Sequence, residues 1–158
     1  MSDAFNDLRD LYQEVILDHG RHPRHGKRLV TFDATAKGDN PMCGDRVQVW
    51  LRYGADDTIA ETGFEARGCA ISIASADLMA ETVRDRSRTD ARALFAAFRD
   101  LARTGTCPAC DASLSEPLKR LQPLAGVHEY PSRVKCATLP WHALIAALDN
   151  SDKEASSE

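Results

Sequence analysis

Three cysteines and one aspartate, widely separated in the chain, place the strongest limit on its fold. Cys43 and Asp45 lie together in the segment Asn40-Pro41-Met42-Cys43-Gly44-Asp45. Cys69 lies 24 positions after Asp45, and Cys136 lies 67 positions after Cys69. A zinc ion binds four ligands in a tetrahedron, and both thiolates and carboxylates are suitable. No local zinc-finger pattern has this spacing, so a site shared by these residues requires a fold that brings three distant segments together.

The sequence around each cysteine predicts how it is presented. Cys43 and Asp45 are expected on a tight loop before a strand, because Asn-Pro and Gly are turn residues. Cys69 and Cys136 each precede a predicted helix, where free N–H groups and the positive end of the helix dipole favour a thiolate. A thiolate can bind a metal or act as a nucleophile. A third alternative is that these are three ordinary buried cysteines, because free cysteine is among the most buried residue types.

Composition indicates one soluble globular domain. The chain has 158 residues, of which 43% are hydrophobic and 28% charged, and its formal net charge is -4. This acidic balance argues against a general nucleic-acid binder, which is usually basic. No run approaches the roughly 20 apolar residues that span a membrane, and no apolar signal core is found at the N-terminus. We therefore expect a cytoplasmic protein with no nucleic-acid or membrane partner. Five cysteines favour metal binding or reactive thiols over a disulfide framework.

Hydrophobic periodicity predicts an α+β fold in which helices pack on a three-stranded antiparallel sheet. The predicted strands cover residues 29–36, 46–53 and 58–67. The predicted helices cover residues 3–19 and 70–84, a stretch capped by Thr89 or Asp90 and running to Arg103, a short piece around Leu114–Leu124, and residues 137–148 with Pro140 in the first turn. We expect one domain over residues 1–149 and a polar, disordered tail over residues 150–158.

A basic loop over residues 20–28 follows the first predicted helix. Its histidines His22 and His25, together with His19, could bind a metal. The alternative is a solvated positive patch that meets an acidic partner. We favour the patch, because Pro23 and two glycines interrupt the stretch and ligating histidines usually lie on a rigid element.

The motifs around the three cysteines resemble those of the IscU/NifU-like family of iron–sulfur assembly proteins, and most of all its SufU branch. They are Asn40-Pro41-x-Cys43-Gly44-Asp45, Gly68-Cys69-Ala70-Ile71-Ser72 and Lys135-Cys136-Ala137-Thr138-Leu139-x-Trp141. Residues Leu11-Tyr12…Ile16…Asp18-His19…Pro23-Arg24…Gly26 match the opening of those proteins, and the resemblance covers about residues 8–148. It implies the same α+β fold that periodicity predicts.

Two features indicate the SufU branch rather than the scaffold branch. The scaffold branch carries a histidine immediately before its third cysteine, where this chain has Lys135. The SufU branch carries an insert before that cysteine, which residues 104–132 resemble. The resemblance implies a zinc ion held by Cys43, Asp45, Cys69 and Cys136. It also marks Arg133 as a candidate contact to a partner or to the site.

The implied function is that of a zinc-dependent sulfurtransferase. Such a protein accepts persulfide sulfur from a SufS-type cysteine desulfurase and passes it to a downstream cluster-assembly complex. Cys43 is the expected acceptor, because Gly44 allows its loop to rearrange at little steric cost and the resemblance points to the same residue. One alternative is a scaffold that binds a transient [2Fe–2S] cluster on the same ligands. Another is a zinc-stabilised adaptor without thiol chemistry.

The pair Cys107-x-x-Cys110 departs from the branch pattern. A CxxC pair can be a redox couple, half of a zinc site, or the product of drift in a variable insert. Because no second CxxC is present to complete a zinc knuckle, we favour drift or a minor stabilising role.

Overall fold

The computed structural model describes residues 13–40, 44–105 and 114–157. Helix α1 covers residues 13–21. The strands are β1 (Ala34–Asn40), β2 (Asp45–Tyr53) and β3 (Ile59–Arg67), with a short 3₁₀ helix at Ala55–Asp57. The remaining helices are α2 (Ala70–Val83), α3 (Arg88–Thr104), α4 (Ser115–Leu121), a 3₁₀ segment (Gln122–Glu129) and α5 (Pro131–Ser157). In the described part of the chain, no helix is long and apolar enough to cross a membrane.

The three strands form one antiparallel sheet in the order β1-β2-β3, which confirms the predicted α+β architecture. Asn40 pairs with Asp45 at one end of the β1–β2 ladder, and Arg46 pairs with Arg67 on the other side of β2. The register therefore places the start of β2 next to the end of β3, at the same end of the sheet.

The first strand lies later in the sequence than predicted. Residues 29–36 were expected to form it, whereas β1 is Ala34–Asn40. The apolar stretch that suggested a strand lies outside the sheet and passes over β3. Gly63 allows this close approach, because a Cβ there would clash with the Lys27 carbonyl and contact Leu29.

This covering segment also changes the burial of β2. Val47, Val49 and Leu51 alternate along the strand on one face of the sheet, and all three are buried. Trp50 points to the opposite face, yet it is only 1% exposed and the Arg28 guanidinium lies 5.3 Å from its ring centroid. Both faces of the sheet are therefore at least partly covered.

The helices pack on one another and on the sheet through small and aromatic side chains. Phe64 of β3 packs with Ala76 and Ala80, whose small size lets α2 approach the sheet closely. Phe98 of α3 stacks on Trp141 of α5 with ring centroids 4.9 Å apart. The core is thus shared by the sheet and three helices.

The N-cap of α3 lies two or three positions before the predicted cap. Ser87 is the N-cap, and its hydroxyl accepts a hydrogen bond from the Asp90 backbone N–H at 3.0 Å. Thr89 and Asp90 therefore lie inside the helix rather than at its cap. The end is as predicted, because Gly105 adopts the left-handed conformation that commonly ends a helix.

Helix α5 begins at Pro131, six positions before the predicted start, so that Cys136 and Pro140 lie inside it. Proline fits the first turn of a helix, which explains the start at Pro131. Pro140 has no N–H and cannot bond the carbonyl four residues earlier. Ser75 of α2 donates its hydroxyl to the neighbouring Ala137 carbonyl at 2.5 Å, which ties the two helices together at this point.

The ends of the terminal helices also differ from the prediction. Helix α1 includes Gly20 and ends at residue 21, whereas Gly20 was expected to stop it. The sequence predicts a disordered tail over residues 150–158, but α5 continues to Ser157. No glycine or proline follows Pro140 to end the helix, and the Lys-Glu-Ala run at 153–155 has high helix propensity.

Candidate metal centre

Three of the four predicted ligands meet at one point of the fold. The ligand atoms of Asp45, Cys69 and Cys136 all lie within 4.8 Å of one another. Asp45 and Cys136 are each 2% exposed, and Cys69 is half-buried. The fourth predicted ligand, Cys43, lies outside the described residues, two positions before Asp45 in the sequence.

Each of these residues comes from a different secondary-structure element. Asp45 is the first residue of β2, and Cys69 is the N-cap of α2 directly after β3. Cys136 lies in the second turn of α5, which packs across β1 and β2. The antiparallel register brings the first two residues together, and the packing of α5 supplies the third.

The Asp45 carboxylate is linked directly to Cys69. Its Oδ1 accepts a hydrogen bond from the Cys69 backbone N–H at 3.1 Å, and its Oδ2 lies 3.7 Å from Cys69 Sγ. Gly68 makes this approach possible, because its φ is +144° and a Cβ there would clash with the carboxylate. The glycine before Cys69 is therefore required by the geometry of the centre.

The two cysteines have different electrostatic surroundings. Cys69 lies at a helix N-terminus as predicted. The same prediction for Cys136 is wrong, because this residue lies inside α5. Burial raises the pKa of the Cys136 thiol well above its usual range, and the Asp45 carboxylate and Cys69 add to the rise. A bound divalent cation would oppose this shift by stabilising the thiolate.

The donor set fits zinc or iron. Thiolate sulfurs are soft ligands that zinc and iron bind well, and zinc also accepts a carboxylate oxygen, whereas calcium and magnesium bind oxygen almost exclusively. Among the described residues, these three form the only group of histidine, cysteine and acidic side chains close enough to share a metal ion. The geometry thus brings together three side chains that could share a metal ion.

His19 at the end of α1 and His25 of the basic loop contact acidic residues of α2. His19 Nδ1 lies 2.5 Å from Asp77 Oδ2, and the His25 backbone N–H donates to Asp77 Oδ1 at 2.8 Å. His25 Nε2 also lies 3.8 Å from a Glu81 carboxylate oxygen. These contacts fasten the loop to α2. Sequence reasoning overlooked Asp77, although an ionisable residue amid small and apolar neighbours on a buried helix needs a partner.

Other predicted residues are placed without being brought to the centre. Arg133 is exposed in the first turn of α5, where its backbone N–H donates to the Tyr130 carbonyl at 2.8 Å. Lys135, which stands where the scaffold branch has histidine, is also exposed. Cys107 and Cys110 lie outside the described residues.

Comparison with known proteins gives consistent matches over most of the chain. The model of the NifU-like N-terminal domain family matches residues 11–137. The zinc-dependent sulfurtransferase SufU of Bacillus subtilis is 34% identical over 142 residues, which cover 89% of this chain and 92% of that protein. The iron–sulfur cluster assembly scaffold protein IscU of Streptococcus pyogenes is 34% identical over 148 residues, which cover 94% of this chain and 89% of that protein.

A solved structure shares the fold as well. The iron–sulfur cluster assembly scaffold protein for the SUF system from Fervidobacterium islandicum superposes with a TM-score of 0.76 at 29% identity. The match covers 85% of this chain and 94% of that one. The chain therefore belongs to the NifU-like N-terminal domain family, together with the IscU and SufU proteins that it matches.

Proposed function

We propose that this protein is a zinc-dependent sulfurtransferase that accepts persulfide sulfur from a SufS-type cysteine desulfurase. The observation that carries the proposal is the convergence of Asp45, Cys69 and Cys136 within 4.8 Å. Its Bacillus subtilis relative is named a zinc-dependent sulfurtransferase, which supports the same assignment. The cytoplasmic location expected from the sequence stays a prediction.

Asp45, Cys69 and Cys136 would hold the zinc ion, with Cys43 as the proposed fourth ligand. Bound zinc would keep the cysteine sulfurs as thiolates near neutral pH. The Cys69 backbone N–H fixes the orientation of the Asp45 carboxylate through its hydrogen bond. Burial of Asp45 and Cys136 restricts the access of water to this side of the centre.

Cys43 is the proposed sulfur acceptor. Its thiolate attacks the terminal sulfur of a persulfide on the desulfurase, a new S–S bond forms, and the S–S bond of the donor breaks. The donor cysteine leaves as a thiolate, and the transferred sulfur keeps its proton. The following residue, Gly44, has φ +75°, a conformation that glycine adopts without strain.

The desulfurase is expected to approach the exposed side of the centre. Cys69 is only half-buried there, and Arg133 is exposed at the start of α5, so we propose Arg133 as a partner contact. The pyridoxal phosphate of the reaction belongs to the desulfurase. The sulfur then passes to a downstream cluster-assembly complex.

A second candidate function is that of a scaffold for a transient [2Fe–2S] cluster. The same thiols and carboxylate could bind it, and the Streptococcus pyogenes relative is named a scaffold protein. Lys135, in place of the histidine of the scaffold branch, is the feature that makes us prefer sulfur transfer.

Metal analysis and visible absorption of protein purified without oxygen separate the two functions. We expect one zinc ion per chain and no visible absorption, because zinc is colourless. Iron with charge-transfer bands between about 300 and 600 nm would instead establish the scaffold.

Sulfur transfer itself is tested by incubating the protein with a SufS-type desulfurase and cysteine. We expect mass spectrometry to find one added sulfur atom on Cys43, and Cys43→Ala to abolish stimulation of the desulfurase while retaining the fold. Cys107→Ser/Cys110→Ser serves as the matched control, for which sulfur acceptance stays unchanged. An added sulfur on Cys69 or Cys136, with Cys43 unmodified, would contradict the mechanism.

A further inference from the structure

A groove between α3, α5 and the 3₁₀ segment is lined by basic groups on an otherwise acidic protein. Its volume is about 440 Å³. Its ionisable lining residues are Arg99, Arg103, His128, Lys135 and His142. No carboxylate contributes to the described lining, although the formal net charge of the chain is -4. The groove therefore concentrates positive charge.

The groove is elongated along the two helices. Arg99 and Arg103 are four positions apart on α3, so they lie about one helical turn, or roughly 6 Å, from each other. On α5 the lining runs from Pro131 to His142, a rise of about 16 Å at roughly 1.5 Å per residue. That length matches about five residues of extended chain at roughly 3.3 Å each. A single phosphate ion would contact only a small part of it.

The permanent cations of the groove form no ion pair with the described carboxylates. Within the described ranges, no carboxylate lies at ion-pair distance from Arg99, Arg103 or Lys135, whereas Arg88 and Arg92 of the same helix α3 each pair with an aspartate. Arg99 Nε is buried and makes no hydrogen bond to any described residue. These groups are available to an anionic ligand.

An aromatic ring contacts the Arg99 guanidinium, and the charges of Arg99 and Arg103 act on the neighbouring His142 imidazole. The Arg99 guanidinium lies 5.5 Å from the Phe95 ring centroid, and the same ring meets His142 edge-on at 5.1 Å. Burial lowers the pKa of His142, and the charges of Arg99 and Arg103 lower it further. The groove therefore repels an additional proton and attracts negative charge.

We propose that the groove binds an acidic, extended segment of a partner protein. Alternate side chains of such a segment point to the same side about 6–7 Å apart, which matches the one-turn spacing of Arg99 and Arg103. Lys135 directly precedes Cys136 in α5, so the groove and the candidate metal centre share this helix. None of the residues proposed to bind the metal lines the groove. Binding of the acidic segment is therefore independent of whether the metal centre transfers sulfur.

Fluorescence anisotropy with a labelled eight-residue peptide of alternating Glu and Ser tests the proposal. We expect binding at low salt that weakens as salt is raised, and at least tenfold weaker binding of the same peptide with Gln in place of Glu. Arg99→Gln/Arg103→Gln should weaken binding of the Glu peptide at least tenfold. Arg84→Gln/Arg120→Gln, which removes two exposed arginines from a different cleft, should change it less than twofold.

Each contrary outcome is informative. Equal weakening by the two double variants would overturn the proposal, because net charge alone would then account for binding. Tighter binding of inorganic phosphate or of a single-stranded oligonucleotide through the same arginines would overturn it in favour of those ligands. Lys135→Gln, on an exposed side chain, replaces the Arg99 variant if that protein misfolds. Metal content, measured in parallel, should stay at the wild-type value, so failure here is distinguishable from failure of the proposed function.

Discussion

The Asp45 carboxylate interacts with both cysteines of the candidate metal centre. Its carboxylate orients the Cys69 backbone, and it contributes to the raised pKa of the Cys136 thiol. In the metal-free protein a buried carboxylate close to two thiols is unfavourable unless they stay protonated. Metal binding at this centre would remove that conflict and so stabilise the native fold.

Replacement of either described cysteine should therefore lower metal content and stability together. For Cys69→Ser and Cys136→Ser we expect less than one zinc ion per chain. We also expect stability to fall by about 2 kcal/mol or more, equivalent to roughly 4–8 °C in Tm for a domain of this size. Elemental analysis and thermal unfolding measure the two effects. Stoichiometric zinc in both variants would show that these residues are not ligands.

The close contact between Gly68 and the Asp45 carboxylate predicts that this position tolerates no larger residue. Gly68→Ala should displace the carboxylate and strain the backbone at φ +144°, with a cost of about 1–3 kcal/mol and weaker zinc binding. Gly126→Ala is the matched control, because a Cβ there has no heavy atom within 4 Å and φ is not positive. Chemical denaturation and zinc competition with a chelator measure both variants. A Gly68 variant as stable as the control would contradict this account of the glycine.

The elements show which parts of the molecule could be predicted from the sequence. Strands β2 and β3, helix α2 and the position of Cys69 at a helix start follow from alternation, small-residue content and turn residues in the sequence. Strand β1 does not, because the apolar residues from Leu29 to Phe32 have a strand-like composition but lie outside the sheet. Their placement depends on contacts with β3, such as the close approach at Gly63, which local patterns do not encode.

The start of α5 was mispredicted for a related reason. Tyr130-Pro131 has the composition of a loop, and Pro140 was assigned to a first turn because proline is usually excluded from helix interiors. In the structure Pro140 lies inside the helix, close to the Ser75 hydroxyl that bonds the Ala137 carbonyl. The meeting of Asp45, Cys69 and Cys136 was predictable from the family motifs, but the burial of Cys136 within a helix was not.

The hydrogen bond from the Ser75 hydroxyl to the Ala137 carbonyl is expected to stabilise the contact between α2 and α5. Ser75→Ala removes a buried hydroxyl and leaves the Ala137 carbonyl without that donor, so we expect a loss of about 1–3 kcal/mol. Ser132→Ala, on an exposed residue of α5, should leave stability within about 0.5 kcal/mol of wild type. Urea denaturation of metal-loaded protein gives the comparison. Equal stabilities would show that the hydroxyl is not needed at this position.

At the scale of the whole molecule, the metal centre joins β2, α2 and α5. Removal of the metal with a chelator should lower Tm, and the loss should be reversed when zinc is restored. Far-ultraviolet circular dichroism should retain most of its helical signal, because the core of α2, α3 and α5 is buried independently of the ligands. Magnesium added at the same concentration is the control and should not restore Tm, since two of the described ligands are thiols. Restoration by magnesium would exclude a sulfur-ligated centre.

The same arrangement dictates the order in which the chain can fold. The β1–β2–β3 meander joins neighbours in sequence, so its loops close at low entropic cost and it can form early. Cys136 lies 67 positions after Cys69, so a long loop must close before it joins Asp45 and Cys69, and we expect its arrival to be a late event. Of the three described residues, a nascent or partly folded chain therefore brings together at most Asp45 and Cys69. We therefore expect tight retention of a metal ion to coincide with completion of the fold, so that metal capture is the last step of becoming native.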